Sequence, residues 1–137
     1  MNIIQTYLQR YLAEEDFTKL RAELYERIQE KPDVNVYPEL LTWLFVQKKD
    51  FKNALRQVKA MDKRLDENGG RVFKLATNAK QEKDYDAAIL AYNYILEEKG
   101  KTGTYYLEAK REALTCKRLK ITDGFAYTQE DLSLIHI

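Results

Sequence analysis

Apolar side chains recur along this chain at spacings of three, four and seven residues, which is the spacing of one face of an α-helix. One such face is formed by Phe51, Ala54, Leu55, Val58 and Met61. Short polar stretches separate the apolar segments and interrupt their periodicity. The pattern therefore predicts an all-α chain of amphipathic helices joined by short turns, with no β-strand between residues 3 and 98.

The helical pattern itself repeats with a fixed period. Asp16, Asp50 and Asp84, each followed by an aromatic residue, stand at steps of 34 residues (16 to 50 and 50 to 84). The predicted turns are the polar stretches that end at these aspartates, Glu14–Asp16, Lys48–Asp50 and Glu82–Asp84. Each aspartate is placed to cap the next helix by accepting from the free backbone N–H groups at its start. Each period is therefore predicted to be a hairpin of two antiparallel helices.

Turn and breaker residues mark the ends of the predicted repeats. Pro32 follows the first repeat, Asn68–Gly70 ends the second, and Lys99 and Gly100 end the third. The predicted repeats cover residues 2–33, 36–67 and 70–100, with a partial fourth at 104–119. Residues 1–119 are thus expected to form one helical repeat domain.

The C-terminal part of the sequence departs from this pattern. Residues 120–131 are predicted to hold a turn at Thr122–Gly124 and the start of a truncated helix, with a capping box at Thr128–Asp131. Leu132–Ile137 match one translation frame of a transposase adapter used in preparing sequencing libraries. We interpret these last residues as a sequencing-adapter artefact and the chain as a fragment of a longer protein. The alternative is a short native apolar tail.

With its 34-residue period, the small residues Ala54 and Ala88 and the aromatic residues Phe51 and Tyr85, the chain resembles the tetratricopeptide repeat family. Pro32 falls where that family has its repeat-closing proline. The sequence departs from the family's pattern at Leu20, Pro38 and Lys110. The resemblance implies a right-handed α-solenoid of antiparallel helix hairpins, about three repeats and part of a fourth. More loosely, the whole chain resembles part of the large multi-repeat proteins of bacteria.

The resemblance also implies a binding function. Proteins of this family bind a partner protein or an extended peptide along the concave groove formed by the first helix of each repeat. Matching the family's groove positions onto this sequence gives the implied partner-binding residues Gln9, Glu39, Trp43, Gln47, Phe73, Lys74, Thr77, Lys80, Glu108 and Arg111. Family members that bind chaperone tails carry Lys and Asn at positions held here by Glu39, Trp43, Phe73 and Thr77, so we do not expect that ligand.

Composition and charge narrow the possible partners. The 137 residues carry 23 basic and 22 acidic side chains, so no global field attracts nucleic acid or an anionic membrane. The longest apolar run, Leu40–Val46, is too short to span a bilayer. Phe17, Phe51 and Tyr85 recur at equivalent positions, so packing explains them better than stacking on RNA bases. We therefore expect a protein or peptide partner, no nucleic acid and no membrane insertion.

Few residues in this sequence could carry catalysis. The only histidine, His136, lies in the segment interpreted as adapter, and the only cysteine, Cys116, has no partner for a disulfide or a metal site. Lys117 and Arg118 could lower the pKa of Cys116, but most lone cysteines of this kind are small buried hydrophobic residues. No phosphate-binding glycine motif is present. We predict no catalytic residue, no metal site and no cofactor.

Together, these expectations predict that the chain is a protein-interaction scaffold and not an enzyme. Trp43, the only tryptophan, is either an anchor of the groove or a core residue packed against the neighbouring repeat. The alternative function is a helical appendage of an enzyme whose catalytic domain lies outside this sequence. An appendage and a scaffold would share all the sequence features described above.

Overall fold

The computed structural model describes the backbone of residues 14–136 and the side chains of residues 16–123. The described residues form six helices and no strand, which confirms the all-α prediction. The helices are α1 (Glu14–Glu30), α2 (Val36–Gln47), α3 (Phe51–Leu65), α4 (Gly70–Gln81), α5 (Tyr85–Lys99) and α6 (Tyr106–His136). None of them is long and apolar enough to cross a bilayer. The chain divides into two compact units, Met1–Gln57 and Val58–Ile137.

Two successive helix pairs have the same lengths and the same spacing. Helices α2 and α4 each have 12 residues, and helices α3 and α5 each have 15. Every boundary in the first pair recurs 34 residues later in the second, at Val36 and Gly70, Gln47 and Gln81, Phe51 and Tyr85, and Leu65 and Lys99. The helix boundaries of these two pairs therefore follow the period that the sequence predicts.

The turns inside the two pairs also share their hydrogen bonds. After α2, the backbone N–H groups of Asp50 and Lys49 donate to the carbonyls of Phe45 (2.8 Å) and Val46 (2.9 Å), and the same two bonds follow α4 at 2.8 and 3.0 Å. This pair of bonds is the Schellman motif, which closes a helix with one residue in the left-handed conformation. That residue is a lysine in both turns, Lys49 with φ 59° and Lys83 with φ 65°.

The aspartate that ends each of these turns caps the next helix, as predicted. Asp50 Oδ1 accepts from the backbone N–H of Asn53 at 3.3 Å, and Asp84 Oδ1 accepts from that of Ala87 at 3.2 Å. Asn53 additionally donates its side-chain amide to Asp50 Oδ2 at 2.7 Å. The turns predicted at residues 48–50 and 82–84 are thus present with the expected capping chemistry.

The turn predicted at Glu14–Asp16 is wrong, because these three residues belong to helix α1. Glutamate is a good helix former, so a run of acidic residues is compatible with a continuous helix as well as with a turn. The first helix of the first predicted repeat, which includes Gln9, lies outside the described residues. Helix α1 ends at Glu30, two residues before the predicted stop at Pro32.

The second correction concerns the C-terminal part of the chain. Helix α6 starts at Tyr106 and runs to His136, so the turn predicted at Thr122–Gly124 and the new helix predicted at residues 128–131 are both replaced by one continuous helix. A glycine inside a helix costs only about 1 kcal/mol. Contacts with α5 hold this part of α6 in place, since Tyr85 Oη donates to Asp123 Oδ2 at 2.9 Å. Tertiary contacts here outweigh the local turn signal.

In the first unit, helix α1 packs against helix α2. Phe17, Leu41 and Phe45 are buried between them, and the ring of Tyr25 lies tilted against Phe45 with 6.5 Å between ring centroids. The ammonium of Lys48 lies 5.0 Å from the centroid of the Phe17 ring. A cation at this distance from an aromatic face is attracted to it, so the turn after α2 also contacts α1.

In the second unit, helix α5 is central because it packs against both α4 and α6. Its buried residues include three alanines, whose small side chains permit close approach of the neighbouring helices. The buried set from the three helices comprises Val72, Leu75, Ala76, Ala79, Ala87, Ala88, Ala91, Tyr92, Ile95, Ala109, Ala113 and Cys116. Ala88 is fully buried, as is its equivalent Ala54 on α3.

A buried carboxylate joins helix α3 to helix α5. Asp62 is 0% exposed and accepts hydrogen bonds from the backbone N–H of Gly69 (2.9 Å) and from Tyr94 Oη (2.8 Å). Lys99 Nζ lies 2.8 Å from Asp62 Oδ2 and also donates to the carbonyl of Glu67 at 2.5 Å. Burial and the bond to Asp62 raise the pKa of Tyr94, so its hydroxyl remains a donor. The charge of Asp62 is therefore compensated inside the unit.

Candidate partner-binding surface

Helices α4 and α6 carry all six predicted groove residues of the second unit, and two direct contacts join these parts of the chain. The ring of Phe73 on α4 stacks on the ring of Tyr105, just before α6, with centroids 5.0 Å apart and planes 24° from parallel. Lys80 Nζ on α4 lies 2.6 Å from Glu112 Oε2 on α6. The first helices of two successive predicted repeats thus lie close enough to form one surface.

The aromatic end of this surface is ordered by its neighbours. Phe73 is half-buried and meets Tyr92 of α5 edge-on, with ring centroids 5.5 Å apart. The hydroxyl of Thr77 donates to the carbonyl of Phe73 at 3.1 Å and lies 3.3 Å from Tyr92 Oη. Burial raises the pKa of Tyr92, and the bond to Thr77 opposes this effect. The ring of Phe73 is therefore partly exposed, and its contacts with Tyr92 and Tyr105 hold it in position.

The other end of the surface is charged. The hydrogen bond to Glu112 raises the pKa of Lys80, although burial lowers it, so the ammonium form is held against the carboxylate. Arg111 Nε lies 3.8 Å from Glu112 Oε1, and the Arg111 side chain is 73% exposed. Glu112 therefore forms its shorter ion pair with Lys80 and its longer one with Arg111. Arg111 keeps most of its guanidinium surface available to solvent.

The predicted groove residues differ in how far they are exposed. In the second unit Lys74, Glu108 and Arg111 are exposed, whereas Phe73, Thr77 and Lys80 are half-buried. In the first unit, Glu39 and Trp43 on α2 are half-buried and Gln47 at its end is exposed. Gln9 lies outside the described residues. Phe73, Thr77 and Lys80 all lie on α4. Phe73 and Thr77 contact Tyr92 of α5, and Lys80 contacts Glu112 of α6.

The sequence pattern did not predict which residues contact Phe73 and Lys80. Tyr105 and Glu112 each stand 32 residues after the residue they contact, Phe73 and Lys80 respectively. A 34-residue repeat places equivalent positions of neighbouring helices one period apart, so residues offset by slightly less than a period can meet across the boundary. A search for opposite charges or aromatic pairs at that offset would have found both.

The lone cysteine is not part of an exposed site. Cys116 on α6 is fully buried, and burial raises the pKa of its thiol despite the opposing effect of Lys80. The thiol form is therefore favoured at neutral pH, which is the opposite of what a nucleophile needs. Among the described residues, no three Cys, His, Asp or Glu side chains are grouped so that they could share a metal ion.

Comparison with known proteins gives no relative for this chain: no protein family, no curated sequence and no solved structure matches it.

Proposed function

We propose that this chain is a tetratricopeptide-like scaffold, a right-handed α-solenoid of helix hairpins that binds a partner protein or extended peptide along its first helices. The observation that carries the proposal is the exact recurrence of two helix pairs and their turns at a step of 34 residues. A chain made of equivalent hairpins buries each apolar face against its neighbours, and stacking them in order leaves the first helices on one side.

The contacts inside the second unit support this arrangement. First helices meet through Lys80 and Glu112, and second helices meet through Asp62 and Tyr94. Both pairs are separated by 32 residues, close to one period. Contacts between like helices of successive repeats are what a stack of hairpins requires, whereas a closed bundle would bring together helices distant in sequence.

The chemistry of the α4 and α6 surface favours a partner segment that carries carboxylates. Lys74 and Arg111 are exposed cations on the two first helices, and Lys80 already has its own carboxylate in Glu112. Arginine binds carboxylates through a planar fork of donors, which gives directional contacts as well as attraction. The half-buried ring of Phe73 supplies apolar contact area beside them. Catalysis forms no part of the proposal.

The test is affinity capture from the source cells with the intact chain, followed by titration of each recovered partner against purified variants. Lys74→Ala with Arg111→Ala removes both exposed cations of the surface and should weaken binding by at least about 2 kcal/mol, as is typical of interface hot spots. Helical content should stay unchanged because both side chains are exposed.

The matched control is Lys52→Ala with Arg56→Ala, two exposed cations on the second helix α3. It changes the net charge by the same amount and should leave the affinity within about 0.5 kcal/mol of the original. Lys59 and Lys63 are unsuitable controls, because both ammonium groups lie over the ring of Tyr94, at 5.3 and 5.9 Å from its centroid. Loss of binding in the control and not in the Lys74 and Arg111 variant would place the site on the second helices and contradict the proposal.

A further inference from the structure

Helix α6 exposes three large apolar side chains in a regular row. Leu107 is 78% exposed, Leu114 is 60% exposed and Ile121 is 73% exposed. They stand at steps of seven residues, and at 3.6 residues per turn such steps drift by only about 20° around the helix. The three side chains, called the α6 stripe below, therefore lie along one face. Ala109, Ala113 and Cys116, which are buried, lie on the opposite side of the helix, toward α5.

Cations fill the positions between the apolar side chains of the stripe. Lys110 and Arg111 stand three and four residues after Leu107, and Lys117 and Arg118 stand three and four residues after Leu114. All four are exposed. No carboxylate among the side chains described for residues 16–123 forms an ion pair with Lys110, Lys117 or Arg118. The stripe is thus built of alternating apolar and doubly cationic layers.

This layering defines the chemistry of a matching helix. In side-by-side helix packing, residues spaced three, four and seven apart along one helix meet their counterparts along the other. A helix that fits the α6 stripe needs an apolar residue every seven positions and Asp or Glu at the positions between. Each cationic layer can then form charge-assisted hydrogen bonds with the partner's carboxylates at the edge of the apolar contact.

We propose that the α6 stripe is a docking site for an acidic amphipathic helix of a partner protein. A second copy of this chain fits poorly, because two stripes face to face would oppose cations to cations. An anionic membrane also fits poorly, because a helix lying in the interface buries a broad apolar face, whereas between Leu107 and Ile121, where the side chains are described, the exposed apolar residues form a single row without aromatic residues. The stripe is a different surface from the α4 and α6 face of the proposed function, and only Arg111 borders both.

The probe is a synthetic helical peptide with Leu at every seventh position and Glu at the third and fourth positions after each Leu. Its binding to the intact chain is measured by fluorescence anisotropy at two salt concentrations. We expect saturable binding that weakens as salt rises, because exposed charge pairs are screened. A matched peptide with Gln in place of every Glu should bind at least about tenfold more weakly.

Two variants of the chain separate the apolar and ionic contributions. Leu114→Ser with Ile121→Ser should weaken binding of the Glu peptide at least about tenfold. Lys117→Glu with Arg118→Glu should do the same and should bind a peptide carrying Lys in place of Glu more tightly than the unchanged chain does. The charge-matched control, Lys52→Glu with Arg56→Glu on α3, should behave like the unchanged chain. All four substituted α6 positions are exposed, and circular dichroism checks that each variant keeps its helices.

Three outcomes would overturn the proposal. The Glu peptide could fail to bind at about 1 mM, or it could bind with an affinity that the stripe variants do not change. Sedimentation equilibrium could show a dimer that Leu114→Ser with Ile121→Ser dissolves, which would make the occupant a second copy. Vesicles of anionic phosphatidylglycerol could bind through the stripe while the peptide does not, which would make it a membrane contact. None of these results depends on Lys74, so the proposed function is tested separately.

Discussion

At the scale of single residues, Asp62 is the one charged residue that is buried among those the structure describes. Its carboxylate is 0% exposed and holds the backbone of Gly69, the hydroxyl of Tyr94 and the ammonium of Lys99. Asp62 stands four residues after Val58 and seven after Leu55, so the periodicity places this carboxylate on the apolar face of its helix, but it does not show which groups compensate the charge. Burial of a carboxylate depends on donors that come from elsewhere in the chain, which a local periodicity does not contain.

Replacing Asp62 with Asn should destabilise the protein by about 2–4 kcal/mol, because Lys99 would be left 19% exposed without its countercharge. The measurement is the midpoint of unfolding in urea. Tyr94→Phe, which removes one donor and leaves the ion pair, should cost about 1 kcal/mol. Equal losses from the two substitutions would show that the charge of Asp62 has no special role.

Ala88 also acts at this scale. It is one of the small residues that carry the resemblance, and it is 0% exposed on a helix that packs against both α4 and α6. Ala88→Leu should overpack the site and destabilise by about 1–3 kcal/mol. The same substitution at Ala22, which is exposed on α1, should change stability by less than about 0.5 kcal/mol. Thermal unfolding of the two variants would contradict the assigned register if Ala88→Leu melted at the original temperature.

At the scale of helices and turns, two of the three turns that the period of 34 residues predicted are present, and the one at Glu14–Asp16 is not. The turns at residues 48–50 and 82–84 were predictable because a polar stretch, a capping aspartate and an aromatic residue coincide there. The continuous helix α6 was not predictable from the sequence. The turn signal at Thr122–Gly124 is outweighed by contacts with Tyr85 and Asp86 of α5. Those contacts join residues 34 and 38 positions apart, beyond any local window.

The repeated Schellman turns give a prediction of their own. Lys83 has φ 65°, a conformation that costs an L-residue about 1–2 kcal/mol and costs glycine almost nothing. After allowing for the greater freedom of glycine in the unfolded chain, Lys83→Gly should stabilise by about 0.5–1 kcal/mol. Lys110→Gly, inside helix α6, should instead destabilise by about 1 kcal/mol. Urea denaturation of the two variants should therefore shift in opposite directions, and a loss of stability in both would contradict the role of the left-handed turn.

At the scale of the whole molecule, the composition and the periodicity were sufficient to predict an all-helical chain. The position of the proposed binding surface was harder to predict, because the predicted groove residues on α2 and α4 belong to different compact units. Within the second unit, the pairs Phe73 and Tyr105 and Lys80 and Glu112 bring the first helices together. These contacts join residues 32 positions apart, and the sequence of one helix pair does not specify them.

If the 34-residue hairpin is a stacking unit, a duplicated hairpin should extend the stack. A second copy of Val36–Gly69, inserted directly after Gly69, leaves every repeat boundary in register. In a stack, each added hairpin contributes its own stability and a new interface with its neighbours. The matched control inserts the same residues in scrambled order.

The decisive measurement is hydrogen exchange of the duplicated chain together with its unfolding midpoint in urea. We expect the inserted hairpin to be protected to the same degree as the original and the midpoint to rise, because stacked repeats reinforce one another. The scrambled insert should be unprotected and should not raise the midpoint. Free exchange of the duplicated hairpin, or a midpoint no higher than that of the scrambled insert, would show that the repeats are not stacking units. Either result would contradict the scaffold proposal.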